Sequence, residues 1–326
     1  MGAFQSQFRN PTSRFTEKDL GDLSGKIFLV TGGSSGIGLE LVKFLYAANG
    51  TIYIAARNAD KGRNAIEELK SAYPSSTGQL QFLPLDLSDL STIKATAEEF
   101  LKSESRLDVL WHNAGLTAVT GTTKQGHEQT LGTNCLGPFL LNHFLHPLLV
   151  KTAASSPPNS VRVVWLSSAV ISYAPAGGIQ FDDINYTKPA WFSGLRVFST
   201  YSQSKAGDAY LAYEYAKRAK EQGIVSVSLH PGALKSELNR DLHYLWNLVL
   251  NTFILDETYK GAYTELFAGL SPEVTVEDYK RFIIPYGNWG RVTEDIQKGF
   301  LTPTEGGTGN AEKFWEFCDA ACRDFY

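Results

Sequence analysis

Tyr201 and Lys205 lie four residues apart in a stretch with helical spacing, so their side chains share one helix face. A cation held beside a phenol favours the phenolate. The pairing therefore predicts a tyrosine pKa brought down from about 10 toward the working range, and a side chain able to give or take a proton. Ser168 ends an apolar, β-branched run, where its hydroxyl can hold a substrate oxygen by a hydrogen bond. Only one of Ser167 and Ser168 can face that oxygen, because successive strand residues point to opposite sides. On its own, Tyr-x-x-x-Lys is an ordinary pair on a helix surface. What sets it apart here is a glycine loop far upstream.

Thr31-Gly32-Gly33-Ser34-Ser35-Gly36-Ile37-Gly38 follows an apolar run directly and opens a helical pattern. In that setting Gly32 lets the chain turn sharply, Gly36 lets backbone approach a phosphate, and Gly38 lets helix and strand pack closely. Ser34, Ser35 and Ile37 complete the loop, and the helix N-terminus offers amides and a positive dipole end to a pyrophosphate. A flexible turn is the bland alternative, and the strand–turn–helix context argues against it. The second strand ends Ala56-Arg57-Asn58, without the acidic residue that would bond the ribose 2′-hydroxyl of NAD. Ala56 leaves room and Arg57 offers a fork to a 2′-phosphate, so NADP(H) is the expected cofactor. Lys61, one turn on, is a second candidate for that phosphate, although either cation could be a solvated surface charge.

These residues need a scaffold that brings them together. Strand patterns at 26–31, 51–56, 80–85, 107–112, 161–166 and 224–229 alternate with helical patterns at 38–48, 61–73, 91–103, 126–149 and 199–222. That rhythm predicts an α/β fold, a Rossmann-type doubly wound parallel sheet with helices on both faces and right-handed crossovers. The chain reads as a leader (1–24) and a single domain (25–326) with an enlarged substrate-side C-terminal region. An insert rich in Gly, Pro, Tyr and Trp occupies 169–196, and loops that long are usually functional. Residues 233–270 form the substrate-side region and 271–326 an extension, with a last strand at 282–284 and a packing helix at 311–325. Phe314, Cys318, Ala321 and Phe325 give that helix its apolar stripe.

The spacing Gly-x-x-x-Gly-x-Gly after Thr31 resembles the cofactor loop of the short-chain dehydrogenase/reductase family, and the likeness runs over about residues 20–270. Asp86, with Leu87 beside it, stands after the third strand where the family contacts adenine. Asn113-Ala114-Gly115 matches its Asn-Ala-Gly motif, with His112 in place of the commoner first Asn. Asn134 stands where the family places a backbone-bending, water-holding Asn. Ser168 aligns with the family's serine, which leaves Ser167 structural, and Tyr201-Ser202-Gln203-Ser204-Lys205 supplies Tyr-x-x-x-Lys. Pro231-Gly232 follows the sixth strand, with Leu234 beyond it and Ser236 where the family often has Thr. The resemblance implies a catalytic set of Ser168, Tyr201, Lys205 and Asn134, with Lys205 also on the nicotinamide ribose and Asn134 holding a proton-relay water. The insert and the Ala56-Arg57-Asn58 ending are similar to the retinol-dehydrogenase-like branch. The segments Phe15-Thr16-Glu17-Lys18-Asp19-Leu20 and Ile283-Ile284-Pro285-Tyr286-Gly287 are most similar to its fungal members, some of which act in secondary metabolism.

Composition narrows the remaining choices. Apolar residues make up 43%, aromatic residues 12% and charged residues 20%, which is ordinary globular usage and excludes a disordered chain. Thirty basic against 34 acidic residues argue against a nucleic-acid partner. Three cysteines exclude a disulfide scaffold and fit a reducing compartment, the cytoplasm. No histidine has a metal-ligand partner at suitable spacing, and Cys318 and Cys322 lack the further ligands a metal needs. No apolar run reaches the length of a transmembrane helix. Met1-Gly2-Ala3-Phe4-Gln5-Ser6 fits the myristoylation pattern, with no polybasic run behind it. The apolar segment 242–255 must bury against something, as a pocket wall, as the interface of a homo-oligomer or on a membrane surface, and the lack of a basic flank sets the membrane last. With Trp191, Phe192 and Phe198 facing it, it suits a lipophilic, ring-bearing substrate. The leading expectation is an NADP(H)-dependent oxidoreductase interconverting a carbonyl and an alcohol. The alternative is a non-redox NADP-binding member that aids a cyclisation or isomerisation, or senses the cofactor; retention of Ser168, Tyr201 and Lys205 favours the first.

Overall fold

The computed structural model describes residues 12–117, 119–188, 193–234 and 256–326. Seven parallel strands form the sheet: β1 (Ile27–Thr31), β2 (Thr51–Ala56), β3 (Gln79–Pro84), β4 (Val109–His112), β5 (Val161–Leu166), β6 (Ile224–Leu229) and β7 (Phe282–Ile284). A three-residue strand, β8 (Asn288–Gly290), adds antiparallel to β7. The order is β3-β2-β1-β4-β5-β6-β7-β8, so the chain moves outward from β1 to β3 and then restarts on the other side of β1. Loops leaving β1 and β4 therefore diverge, which opens a crevice at the carboxyl ends of those two strands.

Helices fill both faces. The crossovers between successive strands from β1 to β6 carry α1 (Gly36–Ala47), α2 (Ala59–Ala72), α3 (Leu90–Ser103), α4 (Gly137–Ala154) and α5 (Ser193–Ala219). After β6 come α6 (Thr258–Leu270), α7 (Glu294–Phe300) and α8 (Asn310–Cys322). Strand residues alternate between the two layers, as a pleated sheet requires. Phe28, Val30 and Val164 pack with Leu41, Ile66 and Leu266 of α1, α2 and α6. Leu29, Val163 and Trp165 pack with Phe100, Leu140, Tyr210 and Phe314 of α3, α4, α5 and α8. The fold is thus the doubly wound Rossmann-type sheet that the alternating strand and helix patterns predict.

Several boundaries differ from the sequence expectation, and each has a local cause. The helical stretch before β5 begins at Gln129 rather than 126, because the Glu128 carboxylate accepts from the amides of Thr130 (3.0 Å) and Leu131 (2.8 Å) and caps it there. It continues through a π-turn, Gly132–Leu136, into α4 without a break. α2 starts at Ala59 because the Asn58 side chain accepts from the Lys61 amide at 2.9 Å. α5 starts at Ser193, six residues before the expected position, and so takes in the end of the insert. Part of the leader docks on the domain: Phe15 is buried, and the Arg14 amide donates to Tyr286 O at 3.0 Å. Among the described residues, no helix is long and apolar enough to cross a membrane. Residues 242–255, Trp191, Phe192 and Ser236, all read from the sequence as substrate or cofactor contacts, lie outside the described residues.

Candidate active site

Three hydrogen bonds fasten the ends of β1 and β4 at the crevice. Asn113 Nδ2 donates to Thr31 O (2.7 Å), the Ala114 amide donates to Thr31 Oγ1 (2.9 Å), and that hydroxyl donates to Trp111 O (3.2 Å). Asn113 thus holds the floor of the crevice. Over it runs the glycine loop, with Gly36 in the left-handed region at φ +56° and nothing within 4 Å of where its side chain would begin. A Cβ on Gly38 would collide with Asn113 Nδ2 and stand 2.7 Å from Gly32 O, so α1 docks closer than any side chain allows. Ser35 is the N-cap of α1, yet its hydroxyl makes no capping bond, and Ser34, Ile37 and Gly32 line the same loop half-buried. Uncapped first-turn amides beside open backbone fit a pyrophosphate group.

The other expected cofactor contacts surround this loop. Asp86 Oδ1 accepts from the amide (2.9 Å) and hydroxyl (2.6 Å) of Ser88, which fixes the carboxylate and leaves Oδ2 without a hydrogen bond from a described residue. Leu87 is buried in the core beside Gly137. Arg57 is exposed and makes no hydrogen bond or ion pair with a described residue, while its neighbour Asn58 is turned away to cap α2. Gly232 takes φ +114°, and Leu234 is buried between α6 and the glycine loop, near Gly261 and Ile37.

α5 brings the acid–base groups to the carboxyl end of β5. Lys205 Nζ lies 5.8 Å from the centre of the Tyr201 ring and donates to Leu166 O at 2.8 Å. Ser167 Oγ, fully buried, donates back to Lys205 O at 2.6 Å, so strand end and helix are stitched together. Ser168, half-buried, faces the other way and caps the short helix Ala169–Tyr173, its Oγ accepting weakly from the Val170 amide at 3.4 Å. The alternation at Ser167 and Ser168 is the one that strand geometry demands. Asn134 sits in the π-turn before α4. Its amide hydrogens go to Leu116 O (3.0 Å) and Ser204 Oγ (2.9 Å), and its Oδ1 accepts from the Leu116 amide (2.8 Å). The point where a Cβ on Gly115 would stand is 3.4 Å from both Asn134 Oδ1 and Lys205 Nζ. The Asn-Ala-Gly segment therefore borders the lysine and the asparagine at once.

The chain has close counterparts among known proteins. A family model, short chain dehydrogenase, matches residues 26–178. A short-chain dehydrogenase/reductase of Phomopsis amygdali is 43% identical over 317 residues, which cover 95% of this chain and 93% of that protein. The short-chain dehydrogenase/reductase pkfC of Emericella nidulans is 45% identical over 307 residues, 93% of this chain and 94% of that one. The chain belongs to the short-chain dehydrogenase/reductase family.

Both relatives are fungal, in keeping with the leader and tail segments. Among solved structures, the RhlG/NADP active-site complex of Pseudomonas aeruginosa superposes with a TM-score of 0.52 at 26% identity, covering 89% of this chain and 92% of that one. The NADPH-bound carbonyl reductase from chicken fatty liver shares the fold, with a TM-score of 0.61 at 22% identity over 87% of this chain and 99% of that one. As a short-chain dehydrogenase/reductase the protein is an oxidoreductase that uses a nicotinamide cofactor and acts on small molecules.

Two site residues of this dehydrogenase escape motif reading. Ser204 holds Asn134, and Asp208 pairs with Lys205 Nζ at 2.8 Å. The signal for Asp208 is present in the sequence, since Tyr201, Lys205 and Asp208 recur at spacings of four and three on one helix face. Burial opposes the charge on Lys205, but the Asp208 carboxylate and the Tyr201 phenol outweigh it and raise the lysine above its ordinary pKa. Burial pushes Asp208 up to about 6, with Lys205 limiting the rise. His112, which replaces the commoner Asn, packs with its ring centre 4.3 Å from that of Trp165 at a tilt of 37°, and burial pushes its pKa down to about 3, so it stays neutral. Among the described residues, no group of His, Cys, Asp and Glu could hold a metal.

Proposed function

We propose that the protein interconverts a carbonyl and an alcohol on a lipophilic, ring-bearing small molecule, with NADP(H) as cofactor. The observation that carries this reading is the placement of Tyr201 and Lys205 on one helix face at the end of β5, with Ser168 on the adjoining strand end and an uncapped, glycine-lined helix start across the crevice. In the bound state the nicotinamide supplies or accepts the hydride. The chain's own residues handle the oxygen and its proton. Ser168 Oγ and the Tyr201 hydroxyl hold the carbonyl oxygen, and Tyr201 gives up its proton as that oxygen gains charge. The Lys205 ammonium stabilises the phenolate so left, and the sequence reverses for an alcohol. Asn134 has both amide hydrogens engaged, so a relay water would be held by acceptor atoms, its Oδ1 or its backbone carbonyl.

Three features support NADP(H) over NAD(H). Ala56 offers no carboxylate, the exposed Arg57 has no partner among the described residues, and RhlG, at 26% identity, was solved with NADP. A lipophilic substrate is supported by the rings of Tyr173 and Phe198, which lie 5.5 Å apart and 52% and 42% exposed, just after Ser168 and just before Tyr201. Val197, next to Phe198 in the chain, lines a cleft of about 190 Å³ whose wall also includes Val119, Thr200, Glu128 and Arg196. Exposed rings gain by packing on an apolar ligand. A role in secondary metabolism fits the fungal relatives.

The test is a panel of bulky aromatic and small polar ketones, aldehydes and alcohols, with NADPH consumption or formation as readout. Turnover is expected on bulky aromatic members, and Tyr201→Phe should lower it ~10²–10⁴-fold while NADPH affinity changes little. Near-normal turnover in that variant would rule out the assigned proton donor.

A further inference from the structure

Lys205 and Asp208 are each 5% exposed in their side chains, and they form a direct ion pair inside α5. A bare ammonium in such a place would lose its charge, because burial favours the neutral amine. A bare carboxylate would be protonated for the same reason. Each keeps its charge through the other. Lys205 Nζ has three hydrogens. One goes to Leu166 O and one to Asp208 Oδ2, both at 2.8 Å, which leaves one for the crevice side, where Gly115 and the Tyr201 ring lie. Two fixed acceptors thus aim the third N–H.

We propose that Asp208 is a positioning residue for Lys205: it locks the ammonium in one orientation and keeps it charged while buried. The inference rests on the oxidoreductase reading of the site only for its activity readout. Asp208 touches neither substrate nor cofactor in this account, and it acts through the lysine. Among the described residues, few groups face the pair. Tyr201 lies on the same helix, Cys135 comes from the π-turn, and Cys318 comes from α8, with Glu128 beyond Cys135, and Cys322 and Asp319 beyond Cys318. Burial raises both Cys135 and Cys318 well above the ordinary thiol range, so they stay neutral and add no competing charge. The C-terminal helix α8 therefore contributes an apolar lid over an ion pair that serves the crevice on its other side.

Loss of the carboxylate should let the buried lysine deprotonate at lower pH. A neutral Lys205 no longer stabilises the Tyr201 phenolate and no longer presents a charged donor to the cofactor. The experiment compares pH profiles of kcat/KM and of KM for NADPH in the wild type, Asp208→Asn and Asp208→Glu. In Asp208→Asn the alkaline limb should move down by one pH unit or more, with KM for NADPH rising along that limb. At acid pH kcat should stay within about tenfold of wild type, and Asp208→Glu should return the limb toward its original position. Superimposable profiles, or an equal loss at every pH that glutamate does not rescue, would overturn the proposal. If the asparagine variant does not fold, Asp208→Glu decides alone: a carboxylate displaced by one methylene should raise KM for NADPH several-fold with the limb unmoved, and an unchanged KM contradicts the positioning role. A wild type that turns over no carbonyl or alcohol would defeat the oxidoreductase reading instead. In that case NADPH binding, followed by fluorescence, carries the test: affinity of Asp208→Asn should fall relative to wild type as pH rises, and a pH-independent ratio overturns the inference.

Discussion

Arg57 and Lys205 handle positive charge in opposite ways. Lys205 is buried with two fixed acceptors, whereas Arg57 is exposed and has no partner among the described residues. A guanidinium left unpaired at the end of β2 is available to a 2′-phosphate, and the adjoining Asn58 cannot compete, because its oxygen caps α2. Arg57→Ala should therefore weaken NADPH far more than NADH. The loss of a charged hydrogen bond is about 1.5–3 kcal/mol, or roughly ten- to a hundredfold in affinity. Dissociation constants for both cofactors, measured on wild type and variant, check this; an unchanged ratio makes Arg57 a bystander. At this scale the sequence was informative wherever a residue type is chemically forced. Tyr201 with Lys205, and Gly36 with Gly38, announce themselves by spacing. Asp208 and Ser204 are less forced: Asp208 continues the Tyr201–Lys205 face, but an acid or a serine on a helix has many uses, and only the fold shows that these two hold Lys205 and Asn134.

The elements that place these residues depend on close backbone approach. Gly38 sits in the first turn of α1, where alanine would ordinarily gain about 1 kcal/mol of helix propensity over glycine. Here its Cβ would stand 2.7 Å from Gly32 O, a backbone atom that cannot swing aside, and would strike Asn113 Nδ2. Overpacking of that kind costs about 1–3 kcal/mol, so the clash outweighs the propensity gain. Gly38→Ala should lower stability toward denaturant and weaken the cofactor at least tenfold; a variant as stable and as tight as wild type would show that the loop has slack. The same physics explains which elements could be read from sequence. β2, β5 and β6 are β-branched runs, and their observed limits are those that the runs predict. α6 went unread because Gly261 and Gly269 break its helical pattern. In the fold those glycines make room for Leu234 and Trp111, which press against the helix where side chains would otherwise stand. β8 went unread because Asn288, Trp289 and Gly290 have no strand signature apart from their partner, β7.

Across the whole molecule, buried titratable groups give the fold its pH dependence. Glu265 on α6 is fully buried, and neither carboxyl oxygen takes a hydrogen bond from a described residue. Burial pushes its pKa up to about 8 from an ordinary 4.5. The folded state therefore keeps a proton that the unfolded state releases between those values. The stability this group contributes is complete below about 4.5 and is lost as pH rises through about 8. His112 and His230, each pushed down to about 3 by burial, act at the other end, since the unfolded chain takes up protons below 6.5 that the folded chain refuses. Glu265→Gln stays neutral at every pH, so its stability relative to wild type should be higher at pH ~8 than at pH ~5, with a slope of up to about 1.4 kcal/mol per pH unit. Denaturant unfolding of both proteins at the two pH values measures this, and parallel curves would show that Glu265 is ionised in the fold. The central claim is that the Ser168, Tyr201 and Lys205 crevice carries out redox chemistry with NADP(H). The most direct measurement supplies the protein with NADPH deuterated at the transferable position and a bulky aromatic ketone, and follows the label by mass spectrometry. The expected product is an alcohol carrying one deuterium, formed at a rate that collapses in Tyr201→Phe. Tight binding of the labelled cofactor with no deuterium in any product, across the carbonyl panel, would contradict it.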